Sequence, residues 1–158
     1  MKPQPVLYIL VPTDMGSLNP GKMAAQVAHA ANLMVYRVRK LKKTHGALNR
    51  LLDLWEKDGD GFGTTIVLAY TGASPIARGF DASDLIGPYA RGTVYDMTYP
   101  RIVDNDVASL ISSEDETAPR ENKGNKTIIC RGENTCSFLF CDKENPIRYE
   151  ISHLQLHP

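Results

Sequence analysis

Residues 7–39, LYILVPTDMGSLNPGKMAAQVAHAANLMVYRVR, limit what this chain can fold into more than any other stretch. The first five of them, LYILV, form an apolar run whose length suits a buried strand and is too short for a self-standing helix. Pro12 and Pro20 cannot continue a ladder or a helix interior, and Asn19-Pro20 supplies an N-cap followed by a residue suited to the first helical position. From Gly21 onward, Met23, Ala24, Val27, Ala28, Ala31, Met34 and Val35 recur at helical spacing. The unit is therefore strand, loop, helix, with Gly21 and Lys22 at the helix mouth. Backbone N–H groups and the positive end of the helix dipole point out of such a mouth, and Lys22 adds a full charge. An anionic group is expected there.

The alternation continues downstream. Residues 47–57 (ALNRLLDLWEK) set Leu48, Leu51, Leu52 and Trp55 on one helical face, and residues 64–70 (TTIVLAY) read as a second buried strand. Ser74-Pro75 opens a weaker helical region broken at Gly79 and at Gly87-Pro88, and residues 93–99 (TVYDMTY) read as a third strand stopped at Pro100. Residues 107–126 are polar, acidic and Gly/Pro-containing, which predicts a long loop or partly disordered insert. Residues 127–130 and 135–141 predict a hairpin turning near Gly132-Glu133-Asn134. Beyond Pro146, the alternation of Ile147, Tyr149 and Ile151 predicts an edge strand. There is no internal repeat. For 158 residues this order predicts one α/β domain, a mixed, mostly parallel sheet of four to five strands flanked by helices. An acidic insert at about 104–126 and an extra tail at about 147–158 complete it.

Composition narrows the function classes. No apolar stretch approaches the length of a membrane span and no secretory leader pattern opens the chain, so no membrane partner is expected. Three cysteines, an odd number, argue against a disulfide framework and for a reducing compartment, with the cytoplasm as the expected location. Net charge is zero, but its distribution is uneven. Arg37, Arg39, Lys40, Lys42, Lys43 and Arg50 follow one another with no acidic residue among them. Asp104, Asp106, Glu114, Asp115, Glu116 and Glu121 are opposed only by Arg120. A charge run is ordinarily a solvated face; beside a helix mouth suited to phosphate, the basic one reads as a nucleic-acid backbone surface.

A strand, Thr-Asp-Met, a short loop and then Pro-Gly-Lys-Met-Ala-Ala-Gln-Val-Ala-His-Ala resembles the opening of the archaeal/eukaryotic-type peptidyl-tRNA hydrolases. Gly21, Lys22, Ala24, Ala25, Gln26, His29 and Ala30 match that family's Gly-Lys-x-Ala-Ala-Gln-x-x-His-Ala in register, and Asp14 matches its upstream Asp. Trp55 with the glycines and TIVLAY after it is similar to the family's tryptophan helix and second strand. Residues 94–96 are similar to its third strand, which ends in an Asp, and residues 137–146 to its last strand. Two departures stand out. The family's Asp-Ala-Gly-Arg-Thr-Gln signature is replaced by Asp96-Met-Thr-Tyr-Pro, and its common Arg after the first strand is Pro12 here. The resemblance implies hydrolysis of the ester between a peptidyl or N-blocked aminoacyl group and the terminal ribose of tRNA. It also implies tRNA as partner, no metal or organic cofactor, and pairing of two copies as a homodimer.

Lys22, Gln26 and His29 fall at i, i+4 and i+7 and so share one helix face. Lys22 is either an exposed helix-start lysine or a group that holds a phosphate or an oxyanion. His29, among alanines, is either a packing histidine or a substrate contact, and Gln26 either bridges backbone groups or binds a ribose or carbonyl. Asp96, near the end of the third strand, is a loop cap or a base that orients water beside Lys22. Asp14 is an Asx-turn residue or a substrate contact from the same sheet end. Thr98 and Thr135 are candidate hydroxyl donors to the reacting centre. Lys22, Asp96, Thr98 and Thr135 thus form the expected catalytic set. Asp14, Gly21, Gln26, His29, Arg37, Arg39, Lys40, Lys42 and Lys43 form the expected substrate-binding set. The rival from another class is a module that binds tRNA or a protein without hydrolysing anything, the acidic insert being a partner contact or a shield for the basic face.

Two further patterns weigh less. Gly16-x4-Gly21-Lys22 approaches a phosphate-binding P-loop, but Met23 stands where a metal-binding hydroxyl belongs. Cys136-x4-Cys141-x11-His153-x3-His157 approaches zinc-finger spacing, yet Pro146 breaks the expected helix and two cysteines five apart on a strand face opposite ways. No metal site is expected.

Overall fold

The structure is a computed structural model that describes residues 2–41, 45–71 and 88–158. Strand β1 (Pro5–Pro12) is central: it pairs in parallel with β2 (Thr65–Tyr70) and antiparallel with β5 (Lys126–Asp142). Strand β3 (Tyr89–Asp104) adds outside β5, and the short β6 (Gln155–Leu156) outside β2, giving the order β3-β5-β1-β2-β6. A three-residue strand, β4 (Glu121–Lys123), pairs with β5 near its start. The mixed sheet flanked by helices is the expected α/β architecture. Its pairing differs from expectation, because among the described residues β1–β2 is the single parallel pair. Strand β3 does run in the sense of β1, but β5 lies between them and makes both contacts antiparallel.

Helix α1 (Pro20–Lys40) starts where the sequence places it: Asn19 is the N-cap, its side chain accepting from the Lys22 N–H at 2.9 Å, with Pro20 first in the helix. Its buried stripe is Gln26, Ala30, Met34 and Val38, whereas Ala24 and Ala28 are exposed. Helix α2 (Gly46–Asp58) buries Leu48, Leu51, Leu52 and Trp55 as expected. These two helices cover one face of the sheet, closing a core with Leu7, Ile9, Val11, Val94, Cys136, Phe138 and Phe140. The alternate residues Leu10, Leu139 and Cys141 join Leu68 and Ile151 in a second cluster on the opposite face.

Four local expectations are corrected. Strand β3 does not stop at Pro100 but runs to Asp104, since Pro100 lies on the edge strand, where a missing N–H leaves few ladder bonds unmade. The expected hairpin around Gly132 is one continuous strand, β5, and the turn falls instead at Gly124-Asn125 between β4 and β5, with Gly124 at φ +64°. The acidic insert is not one long loop. It forms helix α3 (Asn105–Leu110), a bridge between Glu116 and Arg131, and β4. Arg120 fastens this segment by donating to the carbonyls of Ala108 and Ile111, both at 2.7 Å, and to the Glu116 carboxylate. Finally, Ile147, Tyr149 and Ile151 lie on a 3-10 helix (Pro146–Ile151) capped by Asn145, and the edge strand of the tail is β6. The helical region expected from Ser74-Pro75 to Gly87 lies outside the described residues.

Candidate functional site

The site is built where α1 crosses β3 and β5. Up to Val94 the two strands pair in one register; then Val94 faces Cys136 while Tyr95 faces Asn134, so Thr135 is an extra residue on β5. Asp96 faces Glu133 while Tyr99 faces Arg131, which places an extra residue on β3 and restores the first register. The two bulges compensate, and Asp96 lies between them. A bulge re-aims side chains, and here it lets both Thr135 and Cys136 reach α1. The Thr135 hydroxyl donates to Gln26 Oε1, and the Cys136 thiol donates to the Gln26 carbonyl at 3.3 Å.

Gln26, 3% exposed, then donates from Nε2 to Asp96 Oδ2 at 2.7 Å. The other carboxylate oxygen accepts from the Thr98 N–H at 2.9 Å and, more weakly, from the Thr98 hydroxyl at 3.4 Å. Burial pushes the Asp96 carboxyl up, but the Thr98 and Gln26 hydrogen bonds and the charge of nearby His29 outweigh it and hold the group below its usual value. Asp96 is thus kept as a carboxylate at neutral pH.

Lys22, one turn before Gln26, does not pair with Asp96. Its ammonium donates to the Pro100 carbonyl at 2.6 Å and lies 5.4 Å from the centroid of the Tyr99 ring. Burial lowers its pKa, and Cys130, cross-strand from Pro100, opposes that shift. Tyr99 is fully buried, and its hydroxyl donates to the Gly16 carbonyl at 3.2 Å; Ser17 accepts from the Ile102 N–H at 2.8 Å. These bonds pin the loop between β1 and α1 onto β3. At the helix mouth Pro20 carries no N–H, the Lys22 N–H is capped by Asn19, and the Met23 N–H reaches the Asn19 carbonyl. Gly21 alone has an open N–H, so the mouth is not the nest of donors that an NTP phosphate chain requires. A Cβ on Gly21 would meet nothing closer than 3.5 Å.

The remaining expected residues spread outward. His29 is exposed on α1, near enough to Asp96 to act on it electrostatically. Asp14 is exposed just after β1. Arg37 is turned inward: its guanidinium lies 5.8 Å from the Phe138 ring centroid, NH1 is buried without an acceptor, and a Cβ at Gly92 would fall 2.1 Å from it. Arg39 is held by Asp53 at 2.8 Å and by Glu56, tying α1 to α2. Lys40 lies over Tyr36, at 5.9 Å. Lys42 and Lys43 lie outside the described residues. The structure therefore joins Gln26, Asp96, Thr98 and Thr135 in one hydrogen-bonded group, directs Lys22 one helical turn away to Pro100, and engages Arg37 and Arg39 elsewhere. Tyr99 and Pro100, which position Lys22, were missed; their signal was adjacency to Asp96 on the same strand.

Cys136 and Cys141 belong to the two opposite core clusters, and burial pushes both thiols up to about 12. Among the described residues no group of three or more His, Cys, Asp or Glu side chains converges as metal ligands would. No described helix is long and apolar enough to cross a membrane. The chain matches no protein-family model, and no curated protein matches it.

Proposed function

We propose that this chain hydrolyses the ester between a peptidyl or N-blocked aminoacyl group and the terminal ribose of tRNA, in the manner of the peptidyl-tRNA hydrolases its α1 motif resembles. The observation that supports the reading best is the hydrogen-bonded path from Asp96 through Gln26 to Thr135, with Lys22 one helical turn away. Three residues distant in sequence, Gln26 of α1, Asp96 of β3 and Thr135 of β5, are joined by these bonds. Asp96 has acceptor capacity beyond its bonds to Gln26 and Thr98, enough to orient a water. Held below its usual pKa, it is a weak proton acceptor, so orienting the water is the larger part of its role.

The water oxygen bonds to the ester carbonyl carbon as its proton passes to Asp96. The tetrahedral oxyanion is met by the two ammonium hydrogens that Lys22 does not give to Pro100. Collapse breaks the bond to the ribose oxygen, which takes the proton from Asp96, leaving tRNA and the peptidyl acid. No metal or cofactor enters this sequence. Peptidyl-tRNA is a cytoplasmic substrate, and the reading carries that location with it.

A second reading is favoured by one observation: the ammonium of Lys22 is directed to Pro100 and not to Asp96. On it, the same scaffold binds tRNA without turning it over. Release of N-acetyl-amino acid from N-acetyl-aminoacyl-tRNA separates the two. Hydrolysis predicts a loss of at least about a hundredfold in kcat/KM for both Lys22→Ala and Asp96→Asn. Wild-type protein that binds tRNA and releases no amino acid would leave only the binding module.

A further inference from the structure

The basic run expected to track RNA is partly consumed by packing, since Arg37 lies against Phe138 and Arg39 is paired with α2. Two further arginines on the side of the site come from a part of the chain the basic run does not include. Beyond the second bulge, β3 and β5 continue as an arm, edged on the β5 side by the acidic segment and β4, on which Tyr99 is directly cross-strand from Arg131. Directly paired and i, i+2 residues of an antiparallel ribbon share a face. Asp96, Tyr99, Arg101, Arg131 and Glu133 therefore lie on the side that also carries Lys22, whose ammonium sits over Tyr99. The phenol of Tyr99 senses Arg101, Glu133 and Asp96 together.

Both arginines of this face are held by carboxylates, in unlike ways. Arg101 pairs at 2.6 Å with Glu133, which lies cross-strand from Asp96 on the same face, and its Nε is buried. Arg131 pairs at 3.0 Å with Asp115, whose side chain is 77% exposed and comes from the acidic segment laid across β5. That segment is fixed by the Thr117 N–H to the Cys130 carbonyl at 2.9 Å and by Arg120. Asp115 is thus presented to Arg131 by a built strap, yet the contact itself is a solvent-exposed ion pair, the kind easily exchanged. A phosphodiester offers Arg131 two oxygens in the fork geometry that a guanidinium prefers.

We propose that Arg131, cross-strand from the tyrosine that Lys22 covers, is a binding site for a backbone phosphate of RNA, and that Asp115 occupies it in the free protein until RNA displaces it. The proposal rests on the tRNA reading above and adds the residues that grip the acceptor end, with the acidic segment as a built-in competitor. It requires no movement of the strap, only rotation of the Asp115 side chain away.

The test is binding of deacylated tRNA by fluorescence anisotropy at several salt concentrations, so that no hydrolysis is involved. Arg131→Gln is expected to weaken binding about tenfold at low salt and to reduce the slope of log K against log[salt] by about one. Arg131→Lys keeps the charge and should keep most of the slope. Asp115→Asn is expected to tighten binding by up to about fivefold, the most an exposed pair of this kind supplies, and to do nothing in the Arg131→Gln background. Thermal melting of each variant checks that it folds. An unchanged slope in Arg131→Gln, or tightening by Asp115→Asn that persists without Arg131, would overturn the phosphate site even if the wild type hydrolyses its substrate. Arg131-dependent binding by a wild type that releases no amino acid would sustain the site and sink the hydrolase. A wild type that binds no tRNA overturns both.

Discussion

Gln26 is the residue on which the site depends most, and Gln26→Met isolates what it does. Methionine nearly conserves volume and helix preference, so cavity and propensity terms stay small. Two hydrogen bonds are lost. The one from Nε2 to the ionised Asp96 is worth about 1.5–3 kcal/mol, and the one accepted from Thr135 about 0.5–1.5 kcal/mol, part of which Thr135 recovers through its weak 3.4 Å bond to the Val94 carbonyl. The expected loss is about 2–4 kcal/mol near pH 7, or roughly 6–12 °C in Tm for a chain of this size. Its pH dependence carries the test. Asp96 is below its usual pKa because the Thr98, Gln26 and His29 contributions exceed the upward push of burial. A depressed carboxyl stabilises the fold fully above the unfolded pKa, about 3.9, and loses that contribution as pH falls through the folded pKa. Removing Gln26 removes part of the depression, so the gap between wild type and variant is widest at neutral pH and narrows below about pH 4. Urea melts of both proteins near pH 7, 5 and 3, with matched m-values, measure it. A gap that is the same at pH 7 and pH 3 would refute the reasoning, because it would mean that Gln26 contributes packing alone.

Two further outcomes follow from local geometry. Gly92→Ala puts a Cβ 2.1 Å from Arg37 NH1 and 2.9 Å from the Phe138 ring, so it should lower stability by about 1–3 kcal/mol, whereas Gly21→Ala, whose Cβ makes only an ordinary contact with Asn19 at 3.5 Å, should raise it by up to about 1 kcal/mol; equal effects in paired thermal melts would contradict the packing described. With the Cys136 and Cys141 thiols pushed up to about 12, both stay protonated at pH 8, so a thiol reagent added to the native protein should titrate only Cys130, and all three cysteines after denaturation; rapid native reaction of two or more would show that the core opens there.

The first half of the described fold was legible because its signals are local. An apolar run, an Asn-Pro cap and a leucine stripe each specify an element without reference to the rest of the chain, and β1, α1 and α2 follow them. The buried stripe of α1 was less so, since alanines fit a surface as well as a core and the stripe passes through the polar Gln26. The second half was misread where a residue's reason is tertiary. Gly132 looks like a turn glycine, but it is in a strand, where a Cβ would lie 1.9 Å from the Tyr95 hydroxyl. The acidic insert looks like a disordered tract, yet one arginine, Arg120, satisfies two carbonyls and a carboxylate and fastens it. Neither relation leaves a trace in periodicity or composition.

The candidate site divides the same way. Lys22 and Gln26 were placed by helical spacing and Asp96 by its position on a strand, but the path from Asp96 through Gln26 to Thr135 depends on a pair of bulges that no residue pattern announces. Had β3 and β5 paired without interruption, Thr135 and Cys136 would face opposite sides of the sheet, and at most one could meet Gln26. One extra residue on β5 turns Thr135 inward, and the extra residue on β3 after Asp96 then cancels the slip. That cancellation returns Tyr99 to the face of α1, where it supports Lys22. With the first bulge alone, β3 beyond Asp96 would turn Tyr99 away from the loop at Gly16, and the Tyr99 and Ser17 bonds that pin that loop would be lost. The two irregularities therefore act as one device. It admits a local change of face at the site while leaving the register of the sheet on either side intact.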